Sequence, residues 1–267
     1  MKHEWQRLGD VLFTPLEPLL DGVKYVYFLP HGYIHNLPLH ALTIRGTPFI
    51  KRWGVAYAPS ISVLESTLSR PKRQGPVLVM GYADPNDPRK TVTKFILEEA
   101  KKIATFFRSP YVLPEAVNAQ TLRKEGQPAS VIHLACHGEF MNEDPLNSGI
   151  VLSDGRFTAR DWLQLRLQAD LVTLSACQVG ISDIRPGDDL VGLTRSILFA
   201  GASSLLMSLW SVDSEKTYDW MLLFYQNLQK NDGPARKIDA FKNATLARLE
   251  ANEDPYYWAP FVLIGHA

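Results

Sequence analysis

The chain has 267 residues, of which 46% are hydrophobic, 10% aromatic and 21% charged. These proportions exclude an intrinsically disordered chain, which is poorer in apolar residues and carries a larger net charge. The 28 Lys and Arg residues balance 28 Asp and Glu residues, so no global field would recruit nucleic acid or an anionic membrane. We therefore expect a globular protein without a nucleic-acid or membrane partner.

Three further features of the sequence concern the cellular compartment. No apolar run approaches the ~20 residues that a membrane helix needs. The first ten residues lack the apolar stretch of a signal peptide. Two cysteines are too few for a disulfide framework. Together these features predict a cytoplasmic protein.

Apolar runs of strand length recur along the chain. Most are continuous rather than alternating, a pattern typical of strands that are covered on both faces. The runs are Lys24–Leu29, Val55–Ala58, Pro76–Gly81, Ser130–Cys136, Leu171–Cys177, Ser204–Leu209 and Pro260–Ile264. Helical patterns lie between them: a helix from the cap Ser60 to about Arg70, Thr91–Arg108, Asp189–Ala200 with Gly201 as its stop, Ser214–Lys230 and Pro234–Ala251.

The alternation of strands and helices predicts an α/β fold with a mostly parallel sheet. Because the alternation is continuous, we expect one domain over residues 1–267. Two turn-rich segments, Gly138–Ser148 and Gln178–Asp188, each follow the end of a strand. Ligands of open α/β sheets bind beyond the carboxyl ends of the strands, so we expect the site at that edge, bordered by Gln178–Asp188.

Missing motifs argue against several enzyme classes. The chain lacks the phosphate-binding loop G-x-x-x-x-G-K-[ST], the dinucleotide-binding pattern G-x-G-x-x-G and the G-x-S-x-G turn that carries the serine of α/β-hydrolases. It also lacks the zinc-binding patterns C-x-x-C and H-E-x-x-H. His31, His35 and His40 lie close in sequence, but prolines and a glycine interrupt any helix that would align them. We interpret them as turn and packing histidines. The sequence predicts no metal and no cofactor.

Two strand ends carry residues suited to nucleophilic catalysis. His137 and Cys177 each close an apolar run, so on parallel neighbouring strands they would emerge at one edge. An imidazole within hydrogen-bond reach accepts the proton of a thiol, and the resulting thiolate is a nucleophile. Gly138, directly after the histidine, would let a backbone N–H approach a substrate carbonyl, as an oxyanion hole requires.

The residues alone leave a simpler interpretation open. A free cysteine at the end of an apolar strand is usually a packing residue, and a histidine there is usually a satisfied polar group. Cys136 fits this description, because alternation along the strand points it away from His137 and into the core.

Several segments together resemble one family. They are F-L-P-H-G-Y-I-H-N-L-P-L-H-A-L, H-L-A-C-H-G-E-F, L-S-A-C-Q-V-G, D-D-L-V-G-L-T-R-S-I-L-F-A-G-A, S-L-W-S-V-D and W-A-P-F-V-L-I-G. In this order they are similar to the CHAT domain, a caspase-like cysteine protease domain often attached to TPR repeats. The resemblance implies a three-layer, caspase-like α/β/α sandwich with a His137–Cys177 dyad and an oxyanion hole from the backbone N–H groups of Gly138 and Cys177.

The same resemblance implies an activity. It predicts a cysteine endopeptidase that forms an acyl-enzyme intermediate on protein or peptide substrates, in a regulated signalling or defence pathway, with a TPR-containing or other regulatory partner. No TPR repeat is present in this chain. Two other interpretations stay open: a non-catalytic interaction module on the caspase fold, and a small-molecule cysteine hydrolase.

The substrate pocket is where the sequence departs from the family. We take Ser175, Asp188 and Asp213 as pocket candidates. Ser175 stands two residues before Cys177, where metacaspase-like relatives carry an acid, and Ser214 follows Asp213 where a second acid is common. An S1 pocket for an uncharged or acidic residue is thus at least as consistent with the sequence as one for Arg or Lys. For Asp213 we favour a helix N-cap over a pocket wall, and the two roles are compatible.

Overall fold

The computed structural model describes residues 2–71, 74–139, 141, 143–178, 188–230 and 237–267. Its helices are α1 (Lys2–Phe13), α2 (Phe49–Arg52), α3 (Ile61–Leu68), α4 (Lys90–Phe107), α5 (Ala119–Gly126), α6 (Ala159–Trp162), α7 (Asp188–Ala200), α8 (Ser214–Gln229), α9 (Lys237–Glu250) and α10 (Pro255–Trp258). Its strands are β1 (Tyr25–Phe28), β2 (Thr43–Ile44), β3 (Thr47–Pro48), β4 (Gly54–Tyr57), β5 (Val77–Gly81), β6 (Val131–Glu139), β7 (Gly149–Leu152), β8 (Gly155–Thr158), β9 (Leu171–Gln178), β10 (Ser204–Ser208) and β11 (Phe261–Gly265).

One large sheet organises the molecule. Its strand order is β1-β4-β11-β10-β9-β6-β7-β8, and β5 pairs with the first half of β6. The pairs β1–β4, β4–β11, β10–β9, β9–β6 and β6–β5 are parallel, whereas β10–β11, β6–β7 and β7–β8 are antiparallel. The prediction of a mostly parallel sheet is confirmed, and β6 and β9 lie at its centre.

Helices cover both faces of this sheet. On one face α4, α8 and α9 pack over a core that includes Trp220, Phe224 and Phe261, with the Trp220 and Phe261 rings stacked at 4.2 Å between centroids. On the other face α5, α6 and α7 pack over a second core that includes Trp162 and Phe157. The predicted three-layer α/β/α architecture is confirmed.

The predicted helix boundaries agree with the structure where local chemistry defines them. The Ser60 hydroxyl accepts the Val63 N–H and begins α3, as its N-cap role predicts. Gly201 follows α7 with φ at +121°, and a Cβ there would collide with the carbonyl oxygen of Leu167. Glycine is therefore required at this helix end, both for its backbone angle and for its lack of a side chain.

Several elements were not predicted. The helices without an expected counterpart are α1, α2, α5, α6 and α10, and the hairpins β2–β3 and β7–β8 were also not expected. The segment Gly138–Ser148 was expected to be a turn from its first residue, but β6 continues to Glu139 because Gly138 and Glu139 pair with β7. Within the described ranges, none of the helices is long and apolar enough to cross a membrane.

Candidate functional site

The register between β6 and β9 places the two predicted catalytic residues side by side. Val131 pairs with Leu171 at the start of the parallel ladder, and six positions later His137 pairs with Cys177. Neighbouring strands lie ~4.8 Å apart, so the backbones of these two residues meet at the carboxyl edge of the sheet. The site thus lies where ligands of such sheets bind.

The imidazole of His137 has a carboxylate neighbour. Its Nε2 lies 3.3 Å from Oδ2 of Asp87, and the His137 and Asp87 side chains are 11% and 6% exposed. The distance is long for a charge-assisted hydrogen bond, although catalytic contacts often tighten only when substrate binds. Asp87 is positioned to select the tautomer of His137 that carries its proton on Nε2.

Arg89 holds Asp87 in place. Its Nε donates to Oδ1 at 2.9 Å, its Nη2 to Oδ2 at 2.6 Å, and its backbone N–H to Oδ1 at 2.8 Å. These hydrogen bonds, together with the positive charge of Arg89, keep the pKa of the Asp87 carboxyl well below its usual range. The carboxylate beside His137 is therefore ionised at neutral pH.

The surroundings of His137 keep it neutral. Burial lowers the pKa of its imidazole from the ordinary 6.5, and the positive charge of Arg89 lowers it further; the negative charge of Asp87 opposes both effects. A neutral imidazole with Nε2 facing a carboxylate has Nδ1 free of a proton. Such a nitrogen is a competent general base at neutral pH.

Asp87 was not among the candidates, although its position in the sequence carries a signal. It lies in a turn-rich segment six residues after β5, which pairs directly with β6. Ligands of α/β sheets bind beyond the carboxyl ends of the strands, and this rule indicates the segment after β5, with Asp87 and Arg89, as well as the ends of β6 and β9.

A small cavity of about 10 Å³ lies beside His137, between β6, β9, α4 and α8. Of the pocket candidates, Ser175 is 7% exposed and borders this cavity. The other lining residues are Val92, Ile96, Glu99, Cys136, His137, Ser214 and Thr217. Glu99 was not a sequence candidate, because a glutamate within the amphipathic α4 pattern gives no signal of burial.

The remaining pocket candidates are placed differently. Asp213 is exposed and does not border the cavity; its Oδ1 accepts the N–H groups of Glu215 at 3.0 Å and Lys216 at 3.2 Å. Its predicted role as the N-cap of α8 is confirmed. The backbone of Asp188 begins α7, whereas its side chain and the rest of the loop before it, residues 179–187, lie outside the described residues.

A second histidine of β6 lies deeper on the same face. His133 is fully buried; its Nδ1 is 3.0 Å from the Tyr225 hydroxyl, and its Nε2 is 3.1 Å from Oε1 of Glu99. The Tyr225 hydroxyl also donates to Oγ1 of Thr173 at 2.8 Å. This buried polar chain runs beneath the cavity and joins β6 and β9 to α4 and α8.

The other cysteine and His40 have packing roles, whereas His31 is exposed. Cys136 is 2% exposed and belongs to the core on the opposite face from His137, as predicted. His40 is fully buried against Tyr57, with Nδ1 2.8 Å from the hydroxyl, and burial lowers the pKa of its imidazole to about 3. Across the described portion of the chain, no group of three His, Cys, Asp or Glu residues is placed to hold a metal ion.

Comparisons with known proteins agree with this architecture. A family model described as the CHAT domain matches residues 2–266. Tetratricopeptide repeat protein 28 of Homo sapiens is 31% identical over 160 residues, which are 60% of this chain and 6% of that protein; the Mus musculus protein of the same name gives the same values. The chain thus matches a small part of these relatives' length.

Solved structures show the same fold at low sequence identity. A chain of the Saccharomyces cerevisiae separase–securin complex superposes with a TM-score of 0.60 at 16% identity, covering 90% of this chain and 15% of that one. A structure described as a protease gives a TM-score of 0.52 at 14% identity, covering 85% of this chain and 57% of that one. The caspase-like architecture that the sequence predicted is confirmed.

Proposed function

Because the chain belongs to the CHAT domain family, we propose that it is a cysteine endopeptidase with Cys177 as nucleophile and His137 as general base and acid. The observation that carries this proposal is the register of the central strands, which pairs His137 with Cys177 at the carboxyl edge of the sheet. The neighbouring Asp87 at Nε2 of His137 supports it, because the third group of a triad orients the base in this way.

The proposed reaction has two steps. Nδ1 of His137 takes the thiol proton of Cys177, and the thiolate attacks the carbonyl carbon of the scissile peptide bond. The backbone N–H groups of Gly138 and Cys177 stabilise the oxyanion, and His137 returns the proton to the leaving amine as the C–N bond breaks. A water molecule, deprotonated by His137, then attacks the thioester and releases the new carboxyl terminus and the thiol.

Asp87 acts in this scheme as a positioning residue. It does not touch the reacting atoms; it holds the imidazole orientation and stabilises the positive charge that His137 carries while it holds the proton. Arg89 keeps Asp87 ionised and in place through its paired hydrogen bonds. His137 is thus the base, and the buried carboxylate of Asp87 orients it, as in a catalytic triad.

The test compares the wild-type protein with Cys177→Ala and, as a matched control, Cys136→Ala. Each is incubated with a proteome, and new amino termini are identified by mass spectrometry. We expect new termini with the wild type and Cys136→Ala and none with Cys177→Ala. Brief alkylation with iodoacetamide should label Cys177 and not Cys136, because a reactive thiol needs access and a base.

The same experiment separates the alternatives. Unreactive Cys177 and unchanged termini would identify a non-catalytic interaction module, for which the similarity to a protein named for TPR repeats is the supporting observation. Reactive Cys177 without cleavage of internal peptide bonds would identify a small-molecule hydrolase. We further propose that residues 1–267 form one domain in the cytoplasm that works with a TPR-containing or other regulatory partner and needs no cofactor.

A further inference from the structure

A groove runs along the exposed side of α7, between α3 and the chain around α6. Its volume is about 700 Å³, and its lining residues lie within 62–70, at 146 and 163, and within 192–199. It is on the face of the sheet that α7 covers, whereas the small cavity beside His137 lies on the face that α4 and α8 cover. The groove is therefore separate from the candidate active site.

Apolar side chains are exposed in this groove. The ring of Phe199, on α7, is 68% exposed. Val63, Leu146 and Leu163 line the same groove and are partly exposed. A single exposed apolar residue is ordinary, but an aromatic ring beside several aliphatic side chains in one depression is typical of a surface that binds a partner.

Two arginines give the groove a positive charge. Arg195 is exposed, and within the described ranges it forms neither an ion pair nor a hydrogen bond. Arg70 uses Nη1 to donate to the carbonyls of Leu198 and Ala202 at the end of α7, and its other N–H groups are further donors. Among the described residues, no Asp or Glu lines the groove. A ligand with carboxylates would therefore meet complementary charge and fork-shaped donors.

The shape of the lining favours a helical ligand over an extended one. An extended peptide binds by pairing its backbone with an open strand edge, and none of the lining residues lies in a strand. Arg195 and Phe199 are four residues apart on α7, so they project on the same side of that helix. An amphipathic helix with apolar and acidic side chains at the same spacing would match them.

We propose that this groove docks an acidic amphipathic helix of a partner protein. The apolar side chains of that helix cover Phe199 and the aliphatic walls, and its Glu or Asp residues pair with Arg195 and Arg70. The proposal does not depend on the proposed endopeptidase activity, since it uses none of the candidate site residues. Because α7 is the first helix after Cys177 in the chain, the partner would contact the element that follows the proposed nucleophile.

The first test measures fluorescence anisotropy of labelled peptides of about 18 residues, long enough to form a helix on a protein surface. The acidic peptide carries Leu along one helical face and Glu beside it, the basic peptide has Lys in place of each Glu, and the third has Ser in place of each Leu. The protein is the Cys177→Ala variant, so that the probes are not consumed. We expect only the acidic peptide to bind, and more weakly as salt concentration rises.

Substitutions in this background locate the binding surface. Phe199→Ser and Arg195→Glu should each weaken binding of the acidic peptide by at least ~10-fold, the effect of losing a central contact. Leu19→Ser and Arg108→Glu are the matched controls, since they change an exposed apolar residue and an exposed arginine elsewhere; both should bind as the parent does. Arg195→Glu should also bind the basic peptide more tightly than the parent does, because the charge at this position is reversed.

Three results would overturn the proposal. They are no binding of the acidic peptide at about 1 mM, the limit of a weak specific contact, equal binding of the acidic and basic peptides, and binding that Phe199→Ser leaves unchanged. Sedimentation velocity that shows dimers lost in Phe199→Ser would assign the groove to a second copy of this chain and overturn it as well. Failure of the proposed function is read separately, from unreactive Cys177 in the wild type, and would leave the peptide result unchanged.

Discussion

The two histidines of β6 form a natural comparison. His133 and His137 lie four residues apart on the same strand and the same face of the sheet, and each has a carboxylate near its Nε2, Glu99 at 3.1 Å and Asp87 at 3.3 Å. His133 is fully buried, and Tyr225 lies at its other ring nitrogen. His137 lies at the end of the strand and is paired in register with Cys177.

The difference between them is the neighbour of Nδ1 rather than the chemical type. In His133 this nitrogen contacts the Tyr225 hydroxyl and Nε2 faces Glu99, so the imidazole joins elements of the fold. In His137 this nitrogen has no hydrogen-bond partner among the described residues, and burial and the charge of Arg89 lower the pKa of the imidazole. Position along the strand thus separates a structural histidine from a candidate base.

The first prediction tests this separation directly. His137→Ala should lower kcat/KM by about 10⁴-fold or more, as the loss of a catalytic base does in other enzymes, with little change in the free energy of unfolding. Cleavage of a fluorogenic peptide and urea unfolding measure the two effects. Cys177→Ala is the positive control and should lose activity to the same extent. A His137→Ala variant with wild-type turnover would remove His137 from the mechanism.

The second prediction concerns the buried partner. His133→Ala should lower the free energy of unfolding by about 2–4 kcal/mol, because it leaves the Tyr225 hydroxyl and the Glu99 carboxylate buried without their neighbour. Turnover of a peptide with Met at P1, measured per folded molecule, should change little. Loss of this turnover to the level of His137→Ala, at unchanged stability, would contradict the division of roles.

The comparison also explains what the sequence could predict. His137 and His133 both lie in one apolar run, and only the position of His137 beside Gly138 marked it as a strand-end residue. The strands β6 and β9 are parallel neighbours, and their first residues, Val131 and Leu171, pair with each other. Six residues further along each strand, His137 therefore lies beside Cys177. The fold class, the central strands and the caps at Ser60 and Asp213 follow from local patterns of this kind.

The carboxylates could not be predicted in the same way. Asp87 and Glu99 lie 50 and 34 residues before their histidines, so their proximity depends on how β5 and α4 pack against β6. No local pattern distinguishes Glu99 from the exposed Glu98 beside it. The hairpin β7–β8 was missed for a related reason, since short strands become visible only through their pairing partners.

The third prediction concerns the pair at the carboxyl edge. Asp87→Asn should lower kcat by up to about 100-fold, the size of effect that a misplaced reacting group produces. It should also shift the acidic limb of the pH profile of kcat/KM to lower pH. The sign follows from the charges: Asp87 raises the pKa of His137, so its loss leaves burial and the freed positive charge of Arg89 to lower that pKa further.

A pH series from 4 to 9 on the Asp87→Asn variant measures the shift. Asp84→Asn, which alters a carboxylate in the same turn-rich segment, is the matched control and should retain the wild-type profile. A reduced kcat with an unmoved acidic limb would mean that Asp87 only supports the segment's structure. A limb displaced to higher pH would contradict the assigned interaction.

We expect the smallest effect on stability and activity from substitution of Asp213, because its side chain caps α8 and does not border the cavity. Asp213→Ala should lower the free energy of unfolding by about 1 kcal/mol, because the first N–H groups of α8 lose their acceptor. Asp213→Asn keeps an oxygen acceptor and should match the wild type in thermal unfolding and in kcat/KM for Arg and Met substrates alike. A selective loss of Arg cleavage in Asp213→Asn, at unchanged stability, would show instead that the Asp213 charge contributes to substrate recognition. The acid that recognises the P1 residue would then lie at the start of α8, and Asp213 would both cap the helix and contact the substrate.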